Sequence, residues 1–223
     1  MRKYYEAYDE RYKAVHKKNL RWMGYESSPI VTEIIQKYGI SKENAFLEIG
    51  CGEGRDSIVL LENGYNLLAT DVSPEAVSYC KAQYKGYEER FSVLDAVKGK
   101  LDKKFDYIYS VAVIHMLVED KDRQAFYAFI KEHLTENGVA LICTMGDGET
   151  ERKTDIRVAF DLGERVCEGE KVLVAETSCR IVTNQTFEKE LKDADLEIME
   201  QGLTSVENQF PFMMYAVVKG TKQ

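Results

Sequence analysis

The sequence predicts an α/β fold: a three-layer sandwich in which a seven-stranded, mostly parallel sheet with an antiparallel final strand lies between two layers of helices. Three observations carry this. From residue 45 to 145, apolar runs of strand length alternate with amphipathic helical stretches, the rhythm of parallel strands joined by crossover helices. The last quarter breaks that rhythm. Two apolar segments, LEIMEQGLTSV and FPFMMYAVVKG, are joined by a polar link too short for a crossover helix, so they must pair as an antiparallel hairpin. Finally, 223 residues and 25.6 kDa suit one domain with a full core, and little beyond it.

In chain order, AFLEI (45–49) is the first strand. The helix that follows begins near residue 54 with GRDSIVLLENG and stops at Asn63–Gly64, where glycine accepts the left-handed backbone beyond a helix end. YNLLAT (65–70) is the second strand. Ser73 then caps the helix PEAVSYCKAQY, with Pro74 at its first position, where the missing N–H costs nothing. FSVL (91–94) and FDYIYSVAV (105–113) are the third and fourth strands. A helix over about 120–134 ends before Asn137–Gly138, and GVALICTM (138–145) is the fifth strand. A helix over about 184–194 (NQTFEKELKDA) precedes the closing hairpin, which ends near residue 220. No internal repeat or low-complexity tract interrupts the pattern.

Composition narrows the function classes. With 44% hydrophobic and 30% charged residues, the chain resembles an ordinary globular protein, and no apolar run approaches the roughly 20 residues of a membrane span. The opening MRKYYEAYDERYK lacks the apolar centre of a secretory signal, so a cytoplasmic location and no membrane partner are expected. Five cysteines (51, 80, 143, 167 and 179) form no C-x-x-C pair, which argues against a disulfide framework and a structural zinc site. They read as small buried apolar residues, and no metal is expected. A net charge of −8 argues against a nucleic-acid partner, although residues 1–30 carry seven Lys/Arg against four Asp/Glu. Oligomeric state is left open by the sequence.

The chemistry concentrates after the first strand, in Glu48-x-Gly50-x-Gly52-x-Gly54. A dinucleotide fingerprint requires a third glycine at position 55, where this chain has Arg55, and no Gly-Lys-Ser/Thr of a phosphate-binding loop follows. Glycines still let the chain turn sharply and let a ligand lie on bare backbone. Glu48 is a carboxylate in a strand that should be buried, so it needs a partner: a ligand's amino group, a neighbouring Lys or Arg, or a loop it caps. Asp71 ends the second strand 21 residues after Gly50, where an acid can accept both hydroxyls of a ribose. Asp95 follows the third strand, where an acid can accept from an adenine amine. Each of these two also reads as a loop or cap acid, but three acids at successive strand ends point to an adenosyl ligand.

EIGCGEG, ATDVSPEAV, SVLDAV, FDYIYSVAVIHML and LTENGVALICTM, in that order, resemble the motifs of class I S-adenosylmethionine-dependent methyltransferases over roughly 45–145. Within that family, GCGEGRDSIVLLENGYNLLATDVSPEAV is most similar to the small-molecule branch containing tellurite-resistance and thiopurine-type enzymes. The resemblance implies a Rossmann-like fold and S-adenosyl-L-methionine as cofactor, with S-adenosyl-L-homocysteine as product. It implies that Gly50, Cys51 and Gly52 line the methionine portion with Glu48 near the amino group. Asp71 would take the ribose, Val72 would lie against the adenine, and Asp95 and Ala96 would meet its edge. Ser110 and Val111 would lie beside the sulfonium. The implied reaction is in-line displacement of the methyl group onto a small-molecule acceptor. Arg55 and Asp56 are expected to form a solvent-side ion pair.

Three features fall outside the cofactor motifs. His115 follows the fourth strand on the substrate side and is the candidate general base or substrate contact, or else a structural histidine; His16 and His133 are expected to face solvent. Tyr4, Tyr8 and Tyr12 recur at i, i+4, a stripe that either packs or, with Trp22, forms an aromatic lid within residues 1–40. Tyr8, Tyr12 and Trp22 are the substrate candidates. Residues 146–183 are 38 residues long where connections usually take about two to six, so a substrate-side insertion with an extra hairpin around Val172, Val174, Cys179 and Ile181 is expected. Residues 184–220 close the domain. The rival functions are an NAD(P)-dependent oxidoreductase, which Arg55 in place of the third glycine disfavours, and a non-catalytic adenosyl-ligand-binding protein.

Overall fold

The computed structural model of the protein describes residues 2–206 and 210–221. The first strand, β1 (Phe46–Ile49), is buried at every position, which is why its sequence is apolar apart from Glu48. It pairs in parallel with β2 (Leu67–Asp71) on one side and β4 (Phe105–Val111) on the other. β3 (Phe91–Val93) extends the sheet from β2, and β5 (Leu134–Met145) extends it from β4, both in parallel. The closing hairpin, β10 (Leu196–Val206) and β11 (Phe210–Gly220), gives the order β10-β11-β5-β4-β1-β2-β3. β11 runs antiparallel to β5 and β10. The antiparallel strand is thus last in the chain but second from the sheet edge, and residues 207–209 of the hairpin's link lie outside the described residues.

Alternation along the strands feeds two apolar layers. On one face α2 (Pro29–Lys37), α3 (Arg55–Glu62) and α4 (Pro74–Gln83) bury Ile30, Ile34, Leu60 and Val77 against Phe46, Tyr107, Tyr109 and Val217. On the other, α5 (Asp120–His133) and α6 (Asn184–Asp193) bury Phe126, Ile130, Phe187 and Leu191 against Leu47, Ile108 and Met214. Ser73 caps α4 by accepting from the Ala76 N–H at 3.1 Å, with Pro74 inside the first turn. Thr183 caps α6 in the same way.

Two local expectations differ from the structure. The helix expected over about 120–134 is α5, but the fifth strand starts at Leu134 rather than 138, so Asn137–Gly138 sits within β5, whose pairing slips so that Phe105 faces Leu134 and Tyr107 faces Val139. His133 is buried rather than solvent-facing, because it ends α5 stacked on Phe129 at 4.0 Å, donates through Nδ1 to the Phe129 carbonyl and accepts from the Leu101 N–H.

The N-terminal segment forms α1 (Ala7–His16), which lies against an antiparallel hairpin made of β7 (Leu162–Cys167) and β8 (Glu170–Ala175). Val15 meets Cys167, Val172 and Val174 in a separate apolar cluster, with Trp22 packed on it. The expected hairpin therefore contains Val172 and Val174 but not Cys179 and Ile181. Ile181 belongs to a short ladder between β6 (Arg152–Lys153) and β9 (Arg180–Ile181). The strand order reverses between β1 and β4, and the crevice beyond their C-terminal ends is where this topology leaves a ligand site. Among the described residues, no helix is long and apolar enough to cross a membrane.

Candidate functional site

The turn after β1 is built from backbone only glycine tolerates. Gly50, Gly52 and Gly54 have φ of +80°, +52° and +77°, and a Cβ on Gly50 would lie 2.2 Å from Val113 Cγ2. A Cβ on Gly52 would lie 2.7 Å from the Tyr12 hydroxyl. The Gly50 and Cys51 N–H groups donate to the Thr70 carbonyl at 2.7 and 2.8 Å, which fastens the turn to the end of β2. The Gly52 N–H donates to Asp71 Oδ2 and the Ser73 N–H to Asp71 Oδ1, each at 2.8 Å.

These residues border two adjoining cavities. The larger, of about 490 Å³, is lined by Glu48, Gly50, Cys51, Gly52, Asp71, Val111 and His115 from the core and by Tyr8, Tyr12 and Trp22 from the N-terminal segment. The smaller, of about 50 Å³, is lined by Gly50, Asp71, Val72, Asp95, Ala96, Tyr8 and Tyr12. Every residue expected from the sequence to contact cofactor or substrate borders one or the other except Ser110. Strand alternation turns Ser110 away with Ile108, and its hydroxyl is buried with no hydrogen-bond partner among the described residues.

Burial sets the ionisation of the acids. Glu48 is 4% exposed, and its Oε2 accepts from the Ser57 hydroxyl and from the Tyr109 hydroxyl, the latter at 2.9 Å. Its partners are thus hydroxyls rather than a cation. Desolvation, followed by the charge of Asp56, pushes Glu48 up to about 8 despite these bonds. Asp71 is pushed up to about 6 by burial, opposed by the Ser73 and Gly52 N–H groups. His115 is 3% exposed, and its Nδ1 has no partner among the described residues. Burial, then the charges of Arg123 and Arg11, lower its pKa to about 3, so the ring is neutral at physiological pH.

The Asp95 carboxylate already has partners within the protein. It accepts from the Tyr5 hydroxyl at 3.0 Å, the Lys98 ammonium at 3.0 Å and the Val97 N–H at 2.9 Å. The smaller cavity has room for only a few waters. Seating a purine there requires the Tyr5–Asp95 contact to open. In the larger cavity, the bare glycine cradle beside Asp71 and Glu48 leaves room for the amino-acid and ribose portions of such a ligand.

Two expectations about charged residues are corrected. Arg55 and Asp56 are 8% and 4% exposed and line the larger cavity instead of facing solvent. The first turn of α3 points at the strand ends, and Ser28, just before α2, covers it: Asp56 accepts from the Ser28 N–H and hydroxyl, and Arg55 donates to the same hydroxyl at 2.9 Å. His16 is also buried. Its ring nitrogens lie 2.9 Å from Glu53 Oε1 and 2.9 Å from Glu75 Oε1, between the Tyr12 and Tyr79 rings. With a carboxylate on each nitrogen, both must donate, so the ring is an imidazolium.

Sequence reasoning missed Glu53 and Arg11. Glu53 lies within the glycine turn and accepts from the Trp22 and Met23 N–H groups at 2.8 Å each, which holds the N-terminal segment over the turn. Arg11 is 5% exposed and lines the larger cavity; it is three residues beyond Tyr8, and the helical period that selected Tyr8 and Tyr12 also selects it. Arg165, Glu176 and Phe210 complete the walls and came with no local signal.

Comparisons with known proteins agree with this geometry. Residues 47–140 match the family described as a methyltransferase domain. A S-adenosylmethionine-dependent methyltransferase from Clostridium acetobutylicum superposes with a TM-score of 0.67 at 18% identity, covering 95% of this chain and 96% of that one. The CcbJ methyltransferase from Streptomyces caelestis gives a TM-score of 0.70 at 14% identity, covering 99% of this chain and 100% of that one. Burkholderia thailandensis 1,6-didemethyltoxoflavin-N1-methyltransferase, solved with 1,6-didemethyltoxoflavin and S-adenosylhomocysteine bound, gives 0.67 at 17% identity, covering 94% of this chain and 85% of that one. No curated protein matches the sequence. The chain thus has the Rossmann-like fold seen in these methyltransferases, and its residues 47–140 are similar to the methyltransferase-domain family.

Proposed function

We propose that this methyltransferase-domain chain binds S-adenosyl-L-methionine and transfers its methyl group to a small-molecule acceptor, as sequence motifs and fold together suggest. The observation that carries the reading is the cradle itself. Gly50 and Gly52 hold backbone where no side chain fits, directly beside Asp71, at the junction of a large cavity with the small one that reaches Asp95. The neighbour from Burkholderia thailandensis, with a small heterocycle bound, supports the acceptor class. The narrower likeness to tellurite-resistance and thiopurine-type enzymes rests on the sequence motif.

The cofactor would supply a methyl group already activated on a sulfonium. Glu48 and Asp71 would offer carboxylates to its ammonium and ribose hydroxyls, and Val72, Asp95 and Ala96 would receive the adenine once Tyr5 swings aside. Tyr8, Trp22 and Phe210 would keep water from the acceptor. Alignment of the two reactants can supply roughly 7–11 kcal/mol of barrier lowering, so no strong base is required. Neutral His115 fits that economy: its bare Nδ1 can accept the proton-bearing group of an acceptor and orient the lone pair, whereas an imidazole with so low a pKa removes a proton only from an acidic group.

The test is calorimetric titration with S-adenosylmethionine and S-adenosylhomocysteine, alongside Asp71→Ala. Micromolar binding by the parent protein and its loss in a folded variant are expected. Absence of binding to the folded parent, or undiminished binding by Asp71→Ala, would overturn the assignment.

A further inference from the structure

The acceptor half of the larger cavity has an unusual charge balance. Arg21 lies 3.9 Å from the Glu53 carboxylate, Arg165 pairs with Glu176, and Arg55 lies 3.6 Å from Asp56. Arg11 differs. Among the described residues no carboxylate lies within ion-pair distance of it. Its Nε donates to the Ala175 carbonyl at 3.0 Å, and its Nη2 donates to the Ala175 and Glu176 carbonyls at 2.7 Å each. Three carbonyl bonds orient the guanidinium but bring no counter-charge. The group lies over two rings, its Cζ 4.3 Å from the Trp22 centroid and 4.9 Å from that of Tyr8.

A buried cation that no acid compensates is costly to the protein and well matched to an anion. Two other polar atoms of this cavity, His115 Nδ1 and Arg21 Nε, have no hydrogen-bond partner among the described residues. Trp22, Phe210 and Met145 add aromatic and thioether surface suited to a flat ring. We propose, resting on the methyltransferase reading, that the acceptor is a flat aromatic molecule carrying a negative charge, and that Arg11 is the specificity-determining residue that seats the charge. Its Nη1, which makes none of the carbonyl bonds, offers its donors to a carboxylate or an equally ionised ring substituent, while the ring packs beside Trp22.

Trp22 is the only tryptophan of the chain, so its emission reports on this cavity. The experiment titrates benzoate, benzamide and benzyl alcohol into the full-length protein saturated with S-adenosylhomocysteine, whose own binding is followed separately by calorimetry. A saturable change with benzoate is expected, at a concentration at least about tenfold lower than with either neutral analogue. Arg11→Gln should remove the benzoate preference, and Arg90→Gln, at an exposed position outside the cavity, should leave it. Equal responses to benzoate and benzamide, no saturable response to benzoate, or a preference that survives Arg11→Gln would overturn the proposal. If Arg11→Gln does not fold, the benzoate–benzamide comparison on the parent decides alone. Failure of homocysteine-nucleoside binding in the calorimeter would instead implicate the methyltransferase reading itself.

Discussion

Replacing Glu48 by Gln should stabilise the ligand-free protein. Both hydroxyl donors, Ser57 and Tyr109, point at one oxygen, Oε2, so the amide oxygen of Gln can accept both while its NH₂ takes the place of the other oxygen. The substitution therefore removes an ionisable group with few changes in packing. Glu48 ionises at about 8 in the folded protein against an ordinary value of 4.5. Because the folded value is raised, its contribution to stability is fully present below pH 4.5 and is lost progressively as pH rises through 8. At about 1.4 kcal/mol per pH unit, the parent loses about 3 kcal/mol by pH 7 and about 5 kcal/mol above pH 8 through this group alone. Gln loses none of it. Urea melts of parent and Glu48→Gln at pH 5, 7 and 8.5 should show a gap that widens with pH, corresponding to a rise in melting temperature of about 6–12 °C at pH 7. Cofactor binding should weaken in the same variant, since an amide cannot neutralise an ammonium. Stability profiles that run parallel in pH, or a variant less stable at pH 7, would refute the account of Glu48 as a buried acid kept for a ligand.

Other substitutions probe the surrounding architecture. Gly50→Ala combines left-handed backbone, about 1–2 kcal/mol, with a clash on Val113, about 1–3 kcal/mol, and should lower unfolding free energy by about 2–5 kcal/mol. Gly64→Ala has a similar φ of +81° but open space around its Cβ, so denaturant midpoints should show only the backbone share. Ser28→Ala should cost about 1–3 kcal/mol by chemical denaturation, because it strips a buried hydroxyl from Asp56 and Arg55 together. For His16, burial lowers the pKa but the Glu53 and Glu75 carboxylates more than restore it, so the folded value is raised above 6.5. Its contribution is complete below pH 6.5 and lost as pH rises through that raised value. The parent's advantage in melting temperature over His16→Phe should be present at pH 6 and should shrink in alkaline buffer.

Much of the sheet was legible because a strand buried on both faces must be continuously apolar, and because glycine, proline and serine punctuate α3 and α4 where backbone chemistry demands. Where punctuation misled, tertiary pairing overrode it: Asn137–Gly138 is a turn signal that the β4–β5 ladder absorbs as a register slip. The acids at the strand ends were legible for a similar reason, since Glu48 and Asp71 contradict their surroundings. The burial of Arg55, Asp56 and His16 was not. A charged residue reads as solvent-facing until its partner is known, and those partners, Ser28, Glu53 and Glu75, are 27, 37 and 59 residues away in the chain. Arg11 was within reach, because it shares a helical face with Tyr8.

The division of labour within the molecule follows from these links. The cofactor cradle is made by neighbours in sequence and by the sheet, so its geometry is fixed as soon as β1 and β2 pair. The rest of the larger cavity is instead assembled from distant stretches: α1 with Trp22, the segment after β4, the β7–β8 hairpin and its continuation, and the facing ends of β5 and β11. Arg11 bonds α1 to the carbonyls of Ala175 and Glu176, Val15 packs on the β7–β8 hairpin, and Glu53 ties Trp22 and His16 back to the glycine turn. Each tie joins an element that meets the acceptor to one that is rigid or meets the cofactor. A change in the hairpin would therefore move the Arg11 guanidinium without touching Asp71 or Gly50. On the proposed reading, that separation would let the acceptor change while the cofactor site stays constant, with the cap and the insertion rather than the motifs of the sheet choosing it.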